Sequence, residues 1–162
     1  MQLTYITPES PEELMGHYET VRFLMAFLPK DVNFTAKELI QECAGFLTLV
    51  YSGKMPIGYF ILYPVQGNSK KSVEIHGCYR QDLRILLGKE AAKAVMDHIF
   101  QKILSGVFVD AGKQKIVAKL SKQARLARIW VRRFGFEQVP NVEDGKTIWK
   151  LERNKYLGVV KV

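Results

Sequence analysis

Apolar and polar positions along this chain repeat with two periods, and each change of period marks a boundary between elements. Leu3–Thr7 has the apolar and β-branched content of a first strand. Ser10-Pro11-Glu12-Glu13 then supplies an N-cap, a proline at the first helical position and early acids. Leu14, Tyr18, Val21, Met25 and Phe27 or Leu28 follow at helical spacing, so a helix is predicted over 10–28, stopped by Pro29-Lys30-Asp31. A shorter helix is predicted over 35–43, with Ala36, Leu39, Ile40 and Cys43 on one side and Gly45 after its end.

The period then drops to two. Phe46–Tyr51 and Pro56–Tyr63 flank Ser52-Gly53-Lys54, which predicts an antiparallel hairpin. Gly67-Asn68-Ser69 marks another turn. Ser72–Tyr79 alternates, with Val73 and Ile75 facing one way and Glu74 and His76 the other. A long helix is predicted over 83–104, with Leu87, Ala91, Ala94, Val95 and Ile99 as its buried stripe.

Lys115–Leu120 reads as a strand and Ser121–Phe134 as a helix. On that helix Leu126, Ile129, Trp130 and Phe134 are expected to face the core, with Arg125, Arg128 and Arg132 forming one exposed stripe. Gly135 caps it, Phe136–Val139 returns as a strand, Pro140–Gly145 is a loop with an Asp-Gly turn, and Thr147–Leu151 is the last strand. The order is βααβββαβαββ, an α/β domain over 1–153 with a C-terminal tail at 154–162. The strands at 72–79 and 115–120 are joined by a crossover helix and should therefore be parallel.

Length and composition narrow the function. The chain has 162 residues, 48% hydrophobic, too apolar for a disordered tail and long enough for one domain. No apolar run approaches the ~18 residues needed to span a bilayer. The first residues lack a basic region and an apolar run, so no signal peptide is expected. Cys43 and Cys78 are too few for a disulfide framework, which suits a reducing, cytoplasmic setting. The net charge of +8 is concentrated at one end: residues 113–162 carry thirteen Lys and Arg against four Asp and Glu. Lys113–Gly135 contains no acid. Such a stretch can attract a polyanion or an acidic protein, and it can equally be a solvated helix face.

Several sites are excluded. His17, His76 and His98 show no metal-ligand spacing with the cysteines, so no metal is expected. Gly106–Gly112 has one residue too many for a Walker loop, and Lys113 is followed by Gln114. No nucleophile-elbow or dinucleotide-binding glycine pattern occurs.

What remains is an order of elements. A strand ending Gly77-Cys78-Tyr79 runs through a loop into a long helix rich in small residues near its start. A short strand and a helix ending Arg132-Arg133-Phe134-Gly135-Phe136-Glu137 come later. This arrangement resembles the GNAT superfamily of acetyl-CoA-dependent N-acetyltransferases over nearly the whole chain. The resemblance implies a mixed sheet of six or seven strands flanked by four helices. The stretch SKQARLARIWVRRFGFEQV is similar to the family's helix before Gly-Phe. The stretch VEIHGCYRQDLRILLGKEAAKAVMDHIF lies where the family keeps its pyrophosphate loop, of form Arg/Gln-x-x-Gly-x-Gly/Ala. With Gly88 at the last position, Leu86 replaces the middle glycine and the arginine is displaced to Arg84. The motif is degenerate.

The resemblance places Cys78, Tyr79, Arg84, Leu86, Leu87, Gly88 and Lys89 at the pantetheine and diphosphate of coenzyme A, with Arg128 near phosphate charge. Glu74 and His76 are candidates for a general base, or simply polar residues at a sheet margin. The family's tyrosine proton donor falls at Val131 and its asparagine at Ala124. Short chains of this kind also resemble proteins of bacteriophages, some of them virion or head-assembly components. Three readings follow. One is a GNAT-fold protein with a degenerate acetyl-CoA site, non-catalytic or weakly active, that meets a protein partner through the basic helix, in host cytoplasm or virion. The alternative is an active N-acetyltransferase acting on an amine. Nucleic-acid binding ranks last, for the basic face has no aromatic interleaving.

Overall fold

The computed structural model describes residues 2–65, 67 and 70–160. Its seven strands are β1 (Leu3–Ile6), β2 (Leu47–Ser52), β3 (Met55–Pro64), β4 (Ser72–Tyr79), β5 (Lys115–Leu120), β6 (Glu137–Glu143) and β7 (Lys146–Glu152), in the order β1-β2-β3-β4-β5-β7-β6. β2 and β3 form the expected antiparallel hairpin about Gly53, whose φ of 61° suits the turn. β4 and β5 are parallel, with Ser72 opposite Lys115 and Ile75 opposite Ala118. Every other pairing described is antiparallel. Asn68 and Ser69 of the expected turn lie outside the described residues.

The helices are α1 (Pro11–Met15), α2 (Tyr18–Met25), α3 (Ala36–Cys43), α4 (Leu83–Leu87), α5 (Lys89–Ser105), α6 (Arg125–Arg133) and α7 (Arg153–Val160), with a π-helical turn at Gly106–Asp110. Two expected helices are each split. The helix over 10–28 breaks at Gly16-His17, between α1 and α2. The helix over 83–104 breaks at Gly88, whose φ of 87° no right-handed helix contains. That break resets the phase of α5, so Ala94 is exposed and the buried stripe is Ala92, Val95, Met96, Ile99 and Ile103. The segment expected as a tail contains α7.

Contacts divide the chain into two units, Met1–Leu62 with His76–Gly88 and Tyr63–Ile75 with Lys89–Val162. In the first, α3 packs on α1 and α2, and Leu14, Val21, Leu24, Leu39 and Ile40 are buried. Thr35 and Glu38 close a reciprocal capping box at the start of α3. In the second unit, Ile99, Phe108, Ile116, Trp149 and Leu151 form the interior. Pro140–Glu143 is strand rather than loop. The register of β6 shifts between Gln138 and Val142, where Pro140 cannot donate to the ladder, and the Asp144-Gly145 turn (φ 50° and 75°) closes the hairpin to β7.

Candidate functional site

The alternation of β4 holds as expected: Val73 and Ile75 are buried, while Glu74 and His76 are half-buried on the other face. Pairing with β5 ends at Ile75, and β4 continues for four residues to Tyr79. Glu74 is in an ion pair. Lys119 Nζ of β5 lies 3.1 Å from Glu74 Oε1 and 3.1 Å from Glu143 Oε1. Hydrogen bonds to Glu143 and Glu74 hold the Lys119 ammonium above its usual pKa.

Cys78 points inward. Its thiol donates to the Leu24 carbonyl at 2.9 Å, and burial pushes its pKa up to about 12. Tyr79 turns its ring against two glycines. A Cβ on Gly77 would lie 2.7 Å from Tyr79 Cε2, and one on Gly58 would lie 2.5 Å from Tyr79 Cδ1 and collide with the Cys78 carbonyl. A side chain at either position would therefore displace the ring. Burial raises the pKa of the Tyr79 phenol, so it stays protonated.

The chain then turns through a clamp. Arg80 Nε and Nη2 donate to the two carboxylate oxygens of Asp82, each at 2.9 Å. Its guanidinium lies over Phe23, 4.9 Å from the ring centroid, and 5.8 Å from that of Phe27. Gln81 donates to the Phe27 carbonyl at 3.1 Å. Beyond the clamp, α4 uses up its own donors: the amides of Ile85 and Leu86 donate to the Asp82 carbonyl, and that of Gly88 to the Arg84 carbonyl. Arg84, Gly88 and Lys89 are exposed, as are Ile85 (87%) and Leu86 (49%).

No protein-family model and no curated protein matches the sequence. Solved structures do match. Mutant forms of the spermidine/spermine N-acetyltransferase SpeG from Vibrio cholerae align with a TM-score of 0.69 at 14% identity, covering 98% of both chains. The aminoglycoside acetyltransferase AAC(6')-Ib, in complex with coenzyme A, aligns at 0.68 and 15%, covering 98% of this chain and 99% of that one. YncA from Salmonella typhimurium, with its cofactor acetyl-CoA, aligns at 0.59 and 13%, covering 94% and 95%. The chain has the GNAT fold.

On this GNAT fold the residues expected at the cofactor separate into three kinds. Cys78 has its side chain packed inside, and Tyr79 is half-buried with its ring against Gly58 and Gly77. Arg84, Leu86, Gly88 and Lys89 are open to solvent, and Leu87 is half-buried. Arg128 is occupied elsewhere: it donates to the carbonyls of Ser121 (3.1 Å) and Lys122 (2.9 Å).

The expectation for α6 also changes. Leu126 and Ile129 are 50% and 59% exposed, Val131 is buried, and Trp130 and Phe134 stack on Phe100 with centroids 5.8 and 5.1 Å away. Arg128, half-buried, leaves the exposed stripe. The side chains that anchor this helix select which apolar arc is buried, and two arcs were available. Sequence reasoning missed the Arg80–Asp82 clamp and the glycine seat of Tyr79. Glycines inside two strands were the available signal for the seat.

Proposed function

We propose that this protein binds coenzyme A or acetyl-CoA through the released end of β4 and the loop Arg80–Gly88. In this reading the grip on diphosphate is weak, and acetyl transfer is slow or absent. Bound acetyl-CoA would supply a thioester for attack by an amine. The observation that carries the reading is the fate of the loop amides. A phosphate-binding loop works because its N–H groups point at the anion. Here those of Ile85, Leu86 and Gly88 are already given to carbonyls of the same loop. Arg84, exposed on this loop, is the charged side chain left to meet diphosphate. The backbone of β4 past Ile75 can pair with an extended pantetheine.

Catalytic equipment is thin in the same way. Glu74 has its Oε1 held in an ion pair with Lys119, and Val131 is an apolar residue where a proton donor is expected. His76 is the remaining candidate base. The chain then serves by binding, as an interaction or assembly protein of the phage type. Titration calorimetry with acetyl-CoA, paired with a thiol-release assay on a panel of amines, tests this. The expected affinity lies toward the weak end of the ~1 μM–1 mM range usual for enzyme substrates, with little amine-dependent release. Low-micromolar affinity with turnover on a defined amine, both abolished by Gly88→Trp, would overturn it in favour of an active N-acetyltransferase.

A further inference from the structure

The outward face of α6 is mixed rather than merely basic. At 100° per residue, Arg132, Arg125, Ile129, Arg133 and Leu126 fall on one continuous arc, and all five are exposed. Val131, where the family's tyrosine falls, lies on the opposite side and is buried. This surface lies on α6 alone and does not rest on coenzyme A binding.

Two features of the arc identify its partner. The first is charge. No acid occurs between Lys113 and Gly135. Among the described residues, Arg133 is the arginine of this arc with a carboxylate partner, Asp97 at 2.8 Å, while Arg125 and Arg132 have none. The second is the pair of aliphatic side chains, Leu126 and Ile129, three residues apart and more exposed than their type usually is. Arg132 and Arg133 are held on either side by stacking, over Trp149 at 5.3 Å and Trp130 at 5.2 Å. Rigid arginines around aliphatic anchors have the composition of a protein-binding patch.

Phosphate backbones fit the arc poorly, because they would strip water from Leu126 and Ile129 without covering them. Bases find no ring to stack on: Trp130 is already sandwiched by Phe100 and Arg133. A second copy of the same face would bring arginines against arginines. We infer that this face of α6 docks an acidic amphipathic segment of another protein, its carboxylates meeting Arg125, Arg132 and Arg133 and its apolar residues covering Leu126 and Ile129.

The test uses the full chain and a fluorescein-labelled helical peptide of about 15 residues, with leucines at i, i+3 and i+7 and glutamates around them. Anisotropy is read at near-physiological ionic strength, so that bare charge attraction is screened. Saturable binding is expected. Leu126→Ser with Ile129→Ser should weaken it about tenfold or more, and Arg125→Glu by a similar factor. A peptide with lysines for glutamates should not bind. The substituted side chains are exposed, so melting temperatures should stay within about 2 °C of the parent. No saturation by millimolar peptide would overturn the proposal. So would an affinity unchanged by the two serines, or tighter binding of duplex DNA or of anionic phospholipid vesicles under the same conditions. None of these outcomes bears on acetyl-CoA titration.

Discussion

Removing Arg80 should loosen the connection between β4 and α2 by an amount that its contacts allow to be worked out. The guanidinium makes two charge-assisted hydrogen bonds to Asp82 at 2.9 Å, and Arg80 and Asp82 have side chains 13% and 35% exposed. A hydrogen bond to a charged group contributes about 1.5–3 kcal/mol when buried. Here the carboxylate is a third exposed and water can replace its partner, so the pair together is worth about 1–2 kcal/mol. The stack over Phe23 and Phe27 adds about 0.5–1 kcal/mol, since Phe23 is 42% exposed. Arg80→Ala should therefore cost about 1.5–3 kcal/mol, or a midpoint lower by roughly 3–12 °C.

Arg80→Lys should recover less than half of this, because an ammonium cannot make the paired bonds. The pH dependence carries an independent sign. The hydrogen bonds from Arg80 lower the Asp82 pKa below its ordinary 3.8. The stabilisation is therefore present above the unfolded value and is lost as pH falls through the lower folded value. The gap between parent and Arg80→Ala in urea unfolding should be full at pH 7 and should narrow only below about pH 4. A change within about 0.5 kcal/mol, the range of an ordinary surface substitution, would refute the clamp. A gap that stayed constant down to pH 2 would refute its electrostatic part.

Other outcomes follow from the same reasoning. Arg128→Ala should cost about 1 kcal/mol in urea unfolding, because the Lys122 carbonyl loses its donor while the Ser121 carbonyl keeps the Ala124 amide, and Arg125→Ala should cost less than about 0.5 kcal/mol. Gly77→Ala should destabilise by more than Gly106→Ala, since a Cβ at Gly77 meets the Tyr79 ring and one at Gly106 meets nothing within 4 Å, and near-ultraviolet circular dichroism should report the displaced Tyr79. Neither thiol should react with a disulfide reagent at pH 8 until the protein unfolds: Cys43 and Cys78 are buried, and Cys78 ionises only near a pKa of about 12. Lys119→Met should shift the lower limb of any pH–rate profile if Glu74 is the base, and leave it in place if His76 is.

Elements whose signals are local were legible in the chain itself. The N-cap, proline and early acids of α1, the capping box of α3, the alternation of β4 and the glycine between β2 and β3 all act within a few residues. The parallel pairing of β4 and β5 also followed, because a helix between two strands carries the chain back so that the second strand runs the same way as the first. Family resemblance over these elements was sufficient to anticipate the fold, although identity to the matched structures is no higher than 15% in the three compared. The splits at Gly16 and Gly88 were missed because apolar spacing continues across them. A glycine reports only that the backbone may turn, and whether it does depends on what lies on either side.

The candidate site was less legible, since its state rests on partners distant in sequence. Glu74 and His76 were correctly placed on one face of β4, yet the ion pair that occupies Glu74 comes from Lys119, 45 positions away. Leu86 stands where the resemblance expects the middle glycine of the loop. That the neighbouring amides are consumed by a helical turn is a matter of backbone conformation, which composition does not encode. On α6 the chain offers two apolar arcs, Leu126 with Ile129 and Trp130 with Val131 and Phe134. Hydrophobic burial is non-directional and favours either. Contact with Phe100 and the bond from the Phe136 amide to the Val131 carbonyl set the rotation of the helix, and so decide which arc faces water. Local sequence determined where most helices and strands lie, because caps, turns and periodicity are properties of neighbouring residues; only the tertiary structure decided the breaks at Gly16 and Gly88 and which side chains are free to act, because these depend on partners the chain brings together by folding.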